Sequence, residues 1–87
     1  MLRIEKCCEG QLAILRLIGR IRAKHLEELA DQIRDSGPEI VLDLEEVTLV
    51  DVDVVRFLAA REGNGIALRH CPLFVREWML REQPGES

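Results

Sequence analysis

Tyrosine is absent from this chain and the only aromatic residues are Phe57, Phe74 and Trp78, so there is no platform on which successive bases would stack. Basic residues are in the minority: 12 Lys and Arg stand against 16 Asp and Glu, a formal net charge of −4. That balance argues against an affinity built on neutralising phosphates. No apolar run approaches the roughly 20 residues of a membrane-crossing helix, and the opening MLRIEKCCEG lacks the apolar centre of a secretory signal. The 3 cysteines include the neighbours Cys7 and Cys8, and an odd count with two adjacent makes no disulfide framework. From these shortages a cytoplasmic protein with no nucleic-acid partner and no membrane insertion is expected.

What is present suits one small soluble domain. With 87 residues, 47% hydrophobic and 32% charged, the chain is far from the composition of a disordered segment. A chain of this size buries about 60 to 65% of its unfolded surface, so its stability is modest. One domain is expected over residues 1–82, followed by a frayed polar tail, QPGES, over 83–87.

Leu2 to Cys8 alternate loosely, as an edge strand with one wet face does, and Glu9-Gly10 signals a turn. Gln11 to Gly19, QLAILRLIG, is apolar on both faces apart from Arg16 and reads as a more central antiparallel strand ended by Gly19. Ala23 to Asp35 places Leu26, Leu29, Ala30 and Ile33 at helical spacing, and Ser36-Gly37-Pro38 stops that helix. Glu39 to Leu44 is a buried strand. A loop, Glu45 to Asp51, then leads to a second helix from Val52 to about Glu62. Gly63-Asn64-Gly65 ends it, a short strand runs from Ile66 to His70, and Pro72 begins a last helix from Leu73 to Arg81.

The order β-β-α-β-α-β-α predicts a small mixed four-stranded α/β sheet in the order 1-2-3-4, with helices mainly on one face. Strands that are apolar on both sides then need cover on the other face. A second copy of the chain is the expected cover, which makes the protein a homodimer.

Function should gather at the junction VLDLEEVTLVDVDVVRFL, Val41 to Leu58, because partners of α/β sheets approach strand carboxyl ends and the helix starts beside them. Asp51 has the chemistry of an N-cap, its carboxylate accepting from N–H groups of the first turn. Asp53 falls in that turn, where the helix dipole favours an anion. From Glu39 to Val55 there are six acidic residues, Glu39, Asp43, Glu45, Glu46, Asp51 and Asp53, and no basic one. A partner surface that is basic or neutral follows. Arg16, Arg20, Arg22 and Lys24 cluster earlier without a glycine-rich phosphate loop and read as a solvated surface.

Several of these residues together carry a family likeness: Gly19 before the first helix, Val41-Leu42-Asp43-Leu44, the loop Val47-Thr48-Leu49-Val50-Asp51, Gly65 before Ala67-Leu68, and Cys71-Pro72 followed by Val75. The pattern resembles the STAS domains, best known as bacterial anti-sigma-factor antagonists, in a short form without the last strand and helix of longer members. In regulated members the loop Asp is followed by Ser and then by a Ser or Thr that a partner kinase phosphorylates, then by Gly. Here the segment is Asp51-Val52-Asp53-Val54-Val55, so Asp53 stands at the phosphoacceptor position and Val54 replaces the glycine. The resemblance implies a non-catalytic protein-binding module in signalling regulation, with a kinase-type anti-sigma factor as partner and no phospho-control at Asp53. Asp53 then either mimics the phosphorylated residue, with about one negative charge where a phosphate carries nearly two, or is simply a favourable first-turn acid. The family also includes accessory subunits of larger complexes such as lipid-transport ATPases, which is the alternative partner. The expected contact residues are Glu45, Glu46, Thr48, Asp51, Val52, Asp53 and Arg56.

Catalysis has little support. Asp43, Asp51 and Asp53 near one strand end would suit Mg²⁺, but the Lys or Ser/Thr that manages a phosphate is missing after the last strand, Arg69-His70. No nucleophile sits in a glycine-framed elbow. A metal set of Cys7, Cys71, His70 and His25 has no CxxC or HxxxH spacing. No enzyme, cofactor or metal is therefore expected.

Overall fold

The computed structural model describes residues 2–37 and 39–82, and the expected tail lies outside them. Its α/β fold is a mixed five-stranded sheet with three helices. Strand β1 (Leu2–Glu9) pairs antiparallel with β2 (Leu12–Ile21) over its whole length. Glu9 faces Leu12, so Gly10 and Gln11 form the two-residue turn, and Gly10 at φ 62 takes the positive value that such hairpin turns require at their first position. A short 3-10 turn, Ala23–His25, leads into α1 (Leu26–Asp35), which buries Leu29 and Ile33. Strand β3 (Ile40–Asp43) is buried at every position and lies parallel to β2. Helix α2 (Val52–Gly63), strand β5 (Ala67–Arg69) and helix α3 (Leu73–Arg81) complete the described residues.

The order β1-β2-β3-β5 is the expected 1-2-3-4, with one addition. Val47–Val50, expected as loop, forms a further strand, β4, parallel to the distal half of β2. The correction has a plain geometric cause. Leu44 accepts a bond from the Val47 N–H at 3.1 Å, closing a tight turn over Glu45 and Glu46 that returns the chain to the β2 edge. There the β2 N–H of Gly19 bonds the Glu46 carbonyl at 3.0 Å. Strand β2 therefore runs through Gly19 to Ile21 instead of ending at the glycine. Gly19 sits at φ 95, where the register shifts and Thr48 is left without a partner on β2.

All three helices lie against one face of the sheet. Leu29, Ile33, Val54, Val55, Leu58, Val75 and Met79 from the helices share one core with Ala13, Leu15, Leu17, Ile21, Ile40 and Leu42 from the strands and with Leu44 just after β3. Alternation sends Ile14 and Val41 to the other face, and these two buried residues stand outside that core. One row across this second face reads Glu5, Arg16, Asp43, Arg69 in register. Opposite charges thus alternate from strand to strand, a favourable cross-strand arrangement that keeps the face compatible with water. At the edge, Lys6 is paired with Leu15 and so points to the helix side, where a charge discourages edge-to-edge association. No helix among the described residues is long and apolar enough to cross a membrane.

Candidate functional site

The junction between β4 and α2 forms because Val47 and Val50 are buried under the helices while Thr48 and Leu49 face out, after which Asp51 leaves the strand in extended conformation and the chain turns into α2. Val54, Val55 and Leu58 anchor the helix, so its first turn cannot rotate freely. That fixes Asp53 on the outside, exposed at the second helical position.

Asp51 occupies the N-cap position but does not cap its own helix with its side chain. Its Oδ2 instead accepts the backbone N–H of Ala23 at 2.7 Å. The reason lies in the sheet. Ile21 pairs with Val50, which brings the start of the 3-10 turn beside residue 51. The orphan N–H groups of the Ala23 turn thereby gain an anion, and the first turn of α2 has no side-chain cap.

The expected contact residues fall at two ends of β4. Glu45 and Glu46 are exposed in the turn before it, and Asp51, Val52, Asp53 and Arg56 follow it, with Thr48 exposed between. Four residues of strand separate the ends, about 13 Å at ~3.3 Å each. Glu46 holds Arg16 at 2.5 Å, and Arg16 also lies 3.9 Å from Glu5. Arg56 holds Glu82 at 3.1 Å. Among the described residues, Asp53 is in no ion pair. The acidic segment thus presents less net charge than its sequence implies, and Asp53 is its outward carboxylate on the α2 side. Arg22 and Lys24, exposed at the start of the 3-10 turn, flank the Asp51 contact, so basic and acidic side chains share this end of the molecule.

The two alternative metal sets are not assembled. Asp43 pairs with Arg16 and Val50 with Ile21; the five-residue step along β2 places Asp43 roughly 16 Å from the Asp51 end. Cys7 lies on β1 and His70 follows β5, at opposite edges of the sheet with β2 and β3 between. Cys71 is half-buried, and burial pushes its thiol above the ordinary range, with Arg76 opposing and Glu62 adding to the rise. A thiol held protonated is a poor nucleophile. Arg76 is itself raised, first by its paired bonds to Glu62 at 2.9 and 3.2 Å, and it ties α3 to α2.

A grouping that the sequence reading missed lies at the ends of β3 and β5, where Asp43, Glu45 and His70 converge. The pair Asp43 and His70 is 27 positions apart, so no local spacing announces it. No family model matches the chain, and no curated protein is similar to it.

Proposed function

We propose that the chain is a non-catalytic protein-binding module of STAS type, resembling an anti-sigma-factor antagonist with Asp53 at the phosphoacceptor position. The supporting observation is the state of the α2 start. Asp53 is exposed in the first turn of a helix that carries no side-chain cap, so a partner would meet a fixed carboxylate beside free backbone donors. The surface runs from Asp51 to Arg56, with Thr48 alongside and Glu45 and Glu46 as its outlying part. Recognition there is positional: buried valines hold the turn, and the partner reads its charge and shape. In this reading the anion at residue 53 is permanent, so binding follows the phosphorylated form of regulated relatives.

Affinity capture from the source cell, comparing wild type with Asp53→Ser, tests this. A kinase-type anti-sigma factor retained only by Asp53→Ser supports the mimic. Equal retention of every protein by both forms overturns a role for Asp53.

The alternative is an accessory subunit of a larger assembly, such as a lipid-transport ATPase, docking through its helices. One observation favours it: α3 exposes Leu73 (71%), Leu80 (60%) and Phe74 (43%), large apolar side chains that such an interface would cover. Homodimerisation would rest on these α3 side chains and not on the second sheet face, whose charged row is compatible with water. A solution mass of two chains at tens of micromolar is the expected result, and a mass of one chain removes the dimer.

A further inference from the structure

We propose that Asp43, Glu45 and His70 form a binding site for one divalent first-row transition-metal ion. The site lies at the ends of β3 and β5, away from Asp53 itself, and shares only Glu45 with the outlying part of the proposed partner surface. Its donors are chemically mixed, two carboxylate oxygens and one imidazole nitrogen, all within 4.8 Å of one another.

Three features carry the assignment. The first is placement. Asp43 and Arg69 are paired across β3 and β5, and the Leu44 N–H bonds the Arg69 carbonyl at 2.9 Å, so residues 43 and 70 are mounted on joined strand ends. The Glu45 N–H to Asp43 Oδ1 bond at 3.0 Å orients the carboxylate. The second is spacing. Donors about 2.1 Å from a common ion lie about 3.0 to 3.4 Å apart at ordinary coordination angles. His70 Nδ1 and Asp43 Oδ1 are 3.2 Å apart, and Glu45 Oε1, on an exposed side chain, is 3.9 Å from the same nitrogen.

The third is charge. Asp43 is 8% exposed, and the two arginines beside it in register, Arg16 and Arg69, form no ion pair with its carboxylate. Among the described residues no Lys or Arg is ion-paired with Asp43 or Glu45, and His70 is their one charged-group neighbour within 4 Å. A dication would neutralise both carboxylates while leaving the imidazole in its neutral, ligating form. The donor set also selects the ion: one imidazole with two carboxylates suits Co²⁺, Zn²⁺ or Mn²⁺ better than Ca²⁺, which takes six to eight oxygens.

Co²⁺ titration of the full chain carrying Cys7→Ser and Cys8→Ser, followed by absorbance and calorimetry, tests the site without those exposed thiols. One ion per chain is expected, with visible bands of nitrogen and oxygen ligation. Affinity should fall roughly tenfold or more in His70→Asn and in Glu45→Gln, while Glu46→Gln leaves it unchanged. Asparagine is chosen because residue 70 has φ 55, which Asn tolerates; Glu45→Gln is an exposed change that leaves the fold intact. Absence of saturable binding overturns the proposal. So does binding that both variants leave unaltered, or that takes up several ions, since either marks scattered surface carboxylates. The His70 to Asp43 contact would then be an ordinary hydrogen bond.

Discussion

Leu42→Ala is expected to destabilise the fold by about 3 to 4 kcal/mol, the cost of removing a fully buried leucine and leaving part of its volume empty. Leu42 is 0% exposed at the centre of β3, in register with Leu15 on β2 and Leu68 on β5. The space cannot collapse easily, because the flanking strands are held by their own hydrogen bonds and the buried helix residues share its core. A domain of this length has a total stability of roughly 4 to 13 kcal/mol, so one such change removes a large part of it. The thermal midpoint should fall by roughly 15 °C or more, read by circular dichroism and checked by urea unfolding. Leu73→Ala is the matched control: at 71% exposure it should shift stability by less than about 0.5 kcal/mol. A loss below about 1 kcal/mol at Leu42 would show that this strand is not the centre of the core.

Periodicity made most of this architecture readable. The spacing Leu26, Leu29, Ala30, Ile33 announces α1, whose buried residues are Leu29 and Ile33, and the unbroken run around Leu42 announces a strand covered on both sides. Pro72 and Gly65 mark real boundaries, although Pro72 takes the position before the helix and not its first turn. The second helix buries Val54, Val55 and Leu58, with Ala59 and Phe57 only half-buried. What escaped was non-local. Val47-Thr48-Leu49-Val50 is strand-like in composition, yet acidic residues on both sides make it resemble a loop. Its pairing depends on β2 continuing past Gly19, which no nearby residue reveals. The start of α1 shows the same limit. Ala23 to His25 form a 3-10 turn because the helix entry is held from outside, by Asp51 across 28 positions of sequence.

The candidate site follows this division. Exposure of Asp53 was legible, since an acid two residues after an N-cap stands in the first helical turn, away from the valines that must be buried. The engagement of the acidic residues was not. Glu46 holds Arg16, and Asp51 holds a backbone donor of another element. Counting six carboxylates between Glu39 and Val55 therefore overstates the charge a partner meets. Separation in sequence also hid the mixing of sign, since Arg22 and Lys24 stand where the Asp51 contact joins β2 to α2.

Asp51→Ala should remove about 1 to 2 kcal/mol of stability, by leaving the Ala23 N–H without the carboxylate that accepts from it. The contact joins two strand-to-helix junctions, so its loss should loosen both. Amide exchange at Ala23 is expected to quicken well before global unfolding, and the exit of β4 into α2 should lose protection with it. Asp51→Asn keeps an oxygen acceptor and gives up the charge. It should retain protection at Ala23 and roughly half of the stability, separating the hydrogen bond from the dipole interaction. Asp53→Ala, an exposed first-turn acid, should cost only about 0.3 kcal/mol and leave Ala23 protected. Two aspartates one residue apart thus have different physical roles. If Asp53→Ala proved the more damaging of the two, the strand-end contact through Asp51 would not be what holds the junction in place.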